Sequence, residues 1–185
     1  MKTLLVLVLL ASSPFPALAD GAVFKLDAAH STLTYKVVHK FHESVGVSKQ
    51  VQGAAAFKGS DALVQLRATV DSFDSGNANR DAHMKETVEA ARFPEVGLKG
   101  VLKGFKLPTT FPAQVKAQLE GQLSFHGETH PITVPVELEF ESATQVHATT
   151  AFDFSLDAYK VERPALMFVK IDDACHISGD LRFVR

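Results

Sequence analysis

From Ile132 to Glu141 the chain sets Ile132, Val134, Val136, Leu138 and Phe140 on one parity and Thr133, Pro135, Glu137, Glu139 and Glu141 on the other. An alternation this strict gives an extended chain one apolar and one polar face, and it does not fit a helix, whose apolar positions recur every three to four residues. The preceding segment alternates too, with Leu119, Gly121, Leu123 and Phe125 against Glu120, Gln122, Ser124 and His126. Between them Gly127-Glu128-Thr129-His130-Pro131 carries turn chemistry, so a hairpin is expected. The same period gives Leu33, Tyr35, Val37, then Val45, Val47, Val51, Ala55, Phe57, then Val64, Leu66, Ala68, Val70. Later come Val146, Ala148, Phe152, Phe154 and finally Ile177, Leu181, Phe183. With a short run from Val23 to Leu26 and a weaker one from Val96 to Phe105, this makes about eight strands, each with one apolar face.

One segment departs from the period. Asn77 to Ala91 has Met84, Val88 and Ala91 at helical spacing, Asn77 or Asn79 as N-cap and Asp81 in the first turn. Phe93-Pro94 would end it, because the residue before proline avoids helical angles. Lys49 falls on the apolar parity of its strand, which points to a bulge rather than a buried charge. The 185 residues suit a single domain, and 19 basic against 21 acidic residues, with no run of like charges, offer no footprint for a nucleic-acid backbone. A single cysteine forbids an intrachain disulfide and a thiolate metal cluster, so a packed core has to hold the fold.

The first residues look like an address. Lys2 precedes an apolar run from Leu4 to Ala11, prolines follow at 14 and 16, and Ala17-Leu18-Ala19 has the small-x-small form that signal peptidase needs. Residues 1–19 are therefore expected to be a signal peptide and 20–185 the mature domain, secreted out of the cytoplasm. The apolar run is too short to span a bilayer, and no later stretch approaches the necessary length.

Periodicity alone suits a sandwich or an up-and-down barrel. A barrel removes the edge strands that invite aggregation, and an eight-stranded one either fills itself with side chains or holds one slender ligand. Several apolar-parity positions are small: Ala55, Ala68, Gly121 and Ala148, beside the run Gly53-Ala54-Ala55-Ala56. They either leave room in a lumen or accommodate twist and bulges.

At this point the residues carry a family likeness. Phe24, Asp27, His30 and Ser31 precede an alternating strand ending at His39. Then come Asp71-Ser72-Phe73, the block Asn79-Arg80-Asp81-Ala82-His83-Met84, Phe93-Pro94, and Gly127-x-Thr129-x-Pro131. In order and spacing this resembles the YceI family over roughly Val23 to Arg185. The resemblance implies an all-β, lipocalin-like, antiparallel eight-stranded barrel with one short helix. It also implies export to the periplasm and a lumen holding a long apolar chain: a polyisoprenoid, a quinone-like molecule or a fatty-acid derivative. Two stretches depart from the family pattern: Glu86 to Ala91 lacks the usual Phe-Phe pair, and Lys40 to Lys49 replaces an apolar, Gly-Arg-like stretch.

The expected function is thus a periplasmic carrier without enzymatic activity or cofactor, able to touch a membrane surface transiently while loading. Its binding energy would be burial, about 0.8 kcal/mol per methylene, less the entropy of association. The candidate lining is Tyr35, Val37, His39, Val47, Ala55, Phe57, Leu66, Ala68, Met84, Leu123, Val136, Ala148, Phe152 and Leu181. Tyr35 and His39 are the preferred contacts for a polar headgroup, and the helix is a candidate lid. His30 and Ser31 either touch ligand or cap a turn; Arg80 is expected on loop carbonyls and Asp81 at the helix N-terminus. Cys175 is expected to face inward as an inert hydrophobe. The alternative is a histidine-mediated metal-binding protein using His39 and His42, which a strand would put on opposite faces unless a turn brings them together. His126 and His130 flank a hairpin turn and are expected in solvent. No Gly-x-Ser-x-Gly elbow, His-Glu-x-x-His helix or phosphate loop is present.

Overall fold

The alternation from Ile132 to Glu141 reappears as burial. Val134, Leu138 and Phe140 are buried, while Thr133, Pro135 and Glu137 are exposed. The structure is a computed structural model and describes residues 21–40, 42–166 and 169–185; the expected signal peptide, residues 1–19, lies outside the described residues. The strands are β1 (Val23–Leu26), β2 (Thr32–His39), β3 (His42–Ser48), β4 (Gln52–Lys58), β5 (Asp61–Thr69) and β6 (Phe73–Asp74). After the helix α1 (Ala78–Thr87) come β7 (Glu95–Leu102), β8 (Ala113–Phe125), β9 (Glu128–Ser142), β10 (Gln145–Ser155), β11 (Ala165–Leu166), β12 (Val169–Lys170) and β13 (Ala174–Val184).

The ladder runs β1-β4-β5-β7-β8-β9-β10-β13 and returns from β13 to β1, closing a ring of eight antiparallel strands. Closure settles the choice between sandwich and barrel. β13 also pairs with β2, which is followed by β3 and β6. Lys25 and Leu26 of β1 meet Val184 and Phe183, whereas Thr32 to Val37 of β2 meet Asp180 to Cys175, on the same edge of β13. β1 and β2 are therefore two halves of one interrupted strand. By the same logic β3 continues into β4, and β5 into β6, so the chain winds as a simple meander whose first three strands each carry a joint.

Hydroxyls repair these joints. At the first, a single 3₁₀ turn (Ala28–His30) inserts between β1 and β2, and Asp27 caps it by accepting from the Ala29 amide at 3.1 Å. Ser31, 2% exposed, donates to the Asp27 carbonyl at 2.7 Å and accepts the Arg182 amide at 2.9 Å, replacing a lost ladder bond. At the second and third, the Gln50 amide donates to Ser48 Oγ at 3.2 Å, Ser48 lies 2.7 Å from Ser72 Oγ, and Ser72 donates to the Thr69 carbonyl at 2.6 Å. Ser72's single proton goes to that carbonyl, so Ser48 is the donor between the two hydroxyls. A buried polar group left without such a partner costs about 1–3 kcal/mol. The motif residues Asp27, His30, Ser31 and Ser72 are thus strand joinery.

The helix starts where the sequence places it. Asn77 accepts from the Asn79 and Arg80 amides, both at 3.1 Å. It ends earlier than expected, at Thr87, because Glu89 takes a left-handed φ of 47° and the Ala90 amide turns back to the Lys85 carbonyl at 2.9 Å. The β8–β9 hairpin is also tighter than expected: only His126 and Gly127 form the turn, with φ of 48° and 75°, and the strand already includes Thr129 to Pro131. A second correction concerns β3. Gly46 and Ser48 are buried and Val45 is 38% exposed, so Val45 and Val47 lie on the outer face. The break at Lys49-Gln50 shifts the parity between β3 and β4, and Lys49 is exposed as the bulge reading requires. Among the described residues no helix is long and apolar enough to cross a membrane.

Candidate functional site

Inward-facing residues of the closed ring meet around an apolar hollow of about 60 Å³. Its wall includes Ala55, Phe57, Leu66, Val136, Ala148 and Leu181, six of the expected lining residues, with Leu98, Leu102, Leu119, Val134, Leu138 and Val146 completing much of it. The last six share the inward parity of their strands, which is the signal that would have selected them. Thr149 and Thr150 are the hydroxyl-bearing residues on the wall. Ala148 sits between Leu138 of β9 and Leu181 of β13 in the ladder, so its small side chain leaves space where leucines flank it. Gly121 and Gly53 do not line the hollow. A Cβ on Gly121 would lie 2.1 Å from the Lys99 carbonyl oxygen, so this glycine lets β7 and β8 approach and does not widen the lumen.

An aromatic chain closes one end. Phe24 and Phe57 meet edge-on with centroids 5.5 Å apart, Phe57 and Phe105 at 5.6 Å, and Phe105 stacks on Phe140 at 5.8 Å. Phe105 comes from the loop after β7 and is 6% exposed. The period-two reading expects it at the end of a strand, but β7 stops at Leu102.

The other end of the barrel is packed differently. Ala68 and Leu123 are buried there, and Val37, Met84 and Phe152 pack partly buried against the core, away from the hollow. Tyr35 is 9% exposed, lies 5.5 Å from Phe73, and its ring covers Gly46, where a Cβ would come within 2.4 Å. Among the described residues its hydroxyl has no hydrogen-bond partner. Burial, with the Asp81 carboxylate next, pushes that hydroxyl up to about 12. Cys175 is 5% exposed on the same inner face, and burial pushes its thiol up to about 12 as well, which suits an inert thiol.

Arg80 and Asp81 converge on one residue of the loop before α1. Arg80 donates to Ser75 Oγ at 2.9 Å and to the Ser75 carbonyl at 2.8 Å; Asp81 accepts from the Ser75 amide at 3.0 Å and from its hydroxyl at 2.5 Å. The block therefore fixes the helix N-terminus, as expected of Arg80 on a loop carbonyl.

His39 and His42 are direct partners across the β2–β3 hairpin, with ring centroids 5.2 Å apart. The turn does bring them to one face. His39 is buried and its Nε2 donates to the Val169 carbonyl at 2.9 Å. Among the described residues no three of His, Cys, Asp or Glu come together as a metal site would require. His126, expected in solvent, is 8% exposed, because its Nδ1 donates to the Tyr159 carbonyl at 2.8 Å and its ring packs on Phe93. His130 meets the Tyr159 ring edge-on at 4.8 Å.

A closed eight-stranded antiparallel ring around a largely apolar hollow defines a lipocalin-like barrel. The YceI-like domain model matches residues 24–183, and the chain belongs to that family. No curated protein sequence matches it. Among solved structures it is similar to a polyisoprenoid binding domain from Saccharophagus degradans implicated in plant cell wall breakdown, at 16% identity and a TM-score of 0.73, covering 87% of this chain and 97% of that one. It is also similar to BcnA of Burkholderia cenocepacia, at 17% identity and TM-score 0.69 over 85% and 98% of the two chains. A YceI protein of Campylobacter jejuni aligns at 12% identity and TM-score 0.57, over 76% and 84%. At these identities the likeness is one of fold.

Proposed function

We propose that this chain is a carrier that shelters one long apolar molecule of the polyisoprenoid, quinone or fatty-acid type in its lumen. The observation carrying this reading is the hollow inside the ring, walled by aliphatic and aromatic side chains with two threonines and by no charged group. Such a space offers burial without hydrogen bonds, so it favours hydrocarbon over any polar solute. The name of the Saccharophagus domain is consistent with it. The six expected residues on the wall, Ala55, Phe57, Leu66, Val136, Ala148 and Leu181, hold the chain in this reading. Residues 1–19 direct the protein to the periplasm, where it binds and releases cargo without transforming it, touching a membrane surface only to exchange. Protein purified from its own host and extracted with organic solvent should release a lipid-like species at one per chain by mass spectrometry. No extractable species, together with no uptake of an added isoprenoid alcohol, overturns the reading.

A further inference from the structure

The free space of about 60 Å³ is several-fold below the ~300–1,000 Å³ usual for a small-molecule pocket, so a long chain enters only where the wall can part. β8 and β9 pair over their whole common length, and β10 and β13 likewise. β9 and β10 do not: their ladder runs from Ser142–Gln145 only to Val136–Thr150 and stops there, although both strands continue. The sequence encodes this. Thr150 Oγ1 donates to the Pro135 carbonyl at 2.7 Å, so Pro135 presents its carbonyl to β10. In a strand a residue's N–H and C=O share an edge, so the donor that Pro135 lacks is missing on that same edge, and so is that of Pro131, four residues away. Farther along, the Tyr159 ring fills the gap, meeting His130 of β9 at 4.8 Å and Phe154 of β10 at 5.1 Å. The untied stretch is therefore short, and it opens immediately beyond the Val136–Thr150 pair and the Thr150–Pro135 tie.

A second hollow, of about 480 Å³, lies over the point where this ladder stops, bordered by Pro135, Val136, Thr150 and Ala151. Val136, Thr149 and Thr150 border both it and the lumen, so this stretch of wall alone separates the two. Its charged members, Lys116 and Glu137, neutralise each other at 2.7 Å, and the remaining polar groups are the Gln118 amide and threonine hydroxyls. We infer that the seam between β9 and β10 is a lateral portal through which an apolar chain enters the lumen, and that the outer hollow seats its uncharged polar head. This rests on the carrier reading above.

Retinol, an isoprenoid alcohol that fluoresces more strongly in a dry site, tests both claims separately. In a Cys175→Ala background, Val136→Cys with Thr150→Cys forms a cross-strand pair able to lock the seam. Stopped-flow loading of retinol should be at least tenfold slower in the oxidised than in the reduced form of this variant. Thr150→Val, which removes the tie to Pro135 at nearly constant size, should load and release retinol faster than the native chain. Native protein should bind retinol at least tenfold more tightly than retinoic acid at neutral pH. Equal rates in the oxidised and reduced forms, with unchanged rates in Thr150→Val, overturn the portal while leaving the carrier reading standing. Equal or tighter binding of retinoic acid overturns the uncharged head. No fluorescence change with native protein removes the carrier reading itself, and the portal with it.

Discussion

Replacing Ala148 by leucine puts three additional carbons at the point where Leu138 and Leu181 flank a small residue on the wall of the hollow. Those carbons take the space that three carbons of a bound chain would fill. At about 0.8 kcal/mol per methylene the displaced contact amounts to about 2.4 kcal/mol, a roughly 60-fold rise in Kd. The unliganded fold should tolerate the change, since a void is filled; overpacking costs about 1–3 kcal/mol, roughly 2–12 °C of Tm for a domain of this length. The assay is an equilibrium retinol titration with a thermal melt on the same preparation, and Val45→Leu on the outer face serves as the control. A Kd within threefold of native for Ala148→Leu, with an unaltered melt, refutes the claim that cargo lies beside Ala148.

Three further outcomes follow from the joints and the buried hydroxyls. Ser31→Ala orphans the Arg182 amide and should destabilise the fold by about 1–3 kcal/mol in urea unfolding, with the slope of the transition unchanged. Asn77→Ala removes the helix cap and should cost about 1 kcal/mol in the same measurement. Alkali should destabilise the native chain. Cys175 ordinarily ionises near 9.0 and Tyr35 near 10.0, both are raised to about 12 in the fold, and between those values the unfolded chain alone loses the protons. Stability then falls as pH rises, by up to about 1.4 kcal/mol per pH unit per group. Tyr35→Phe should flatten the decline above pH 10.0, and because the native hydroxyl has no partner among the described residues, it should not weaken the protein at neutral pH. A stability profile level from pH 9 to 12 contradicts this assignment.

The barrel was legible because its signal is repeated: each strand restates the same two-residue period, and an error in one segment is outvoted by the others. Single local events were less legible. Nothing in Val45 and Val47 distinguishes an inner from an outer face once a bulge at Lys49-Gln50 has shifted the parity, and burial alone reveals it. His126 reads as a solvated turn residue, yet the loop from β10 brings the Tyr159 carbonyl to it from 33 residues away. Of the expected lining, the residues midway along β4, β5, β9, β10 and β13 reach the hollow, whereas those of β2 and α1 belong to the other end of the barrel. Parity tells which side of a strand a residue takes, and it carries no information on how far along the barrel axis that residue sits. The seam escaped notice for a related reason: Pro131 and Pro135 look like turn and strand punctuation until the neighbouring strand is seen to leave them.

Cys175 is the only sulfhydryl in the sequence, and its ladder partners Val37 and Phe154 belong to strands on either side of it. Enclosed in this way, it is out of reach of the same atom in another copy. Molecules of this protein can therefore crowd together under oxidising conditions without becoming covalently linked, and the folded chain asks nothing of the machinery that makes or shuffles sulfur bridges.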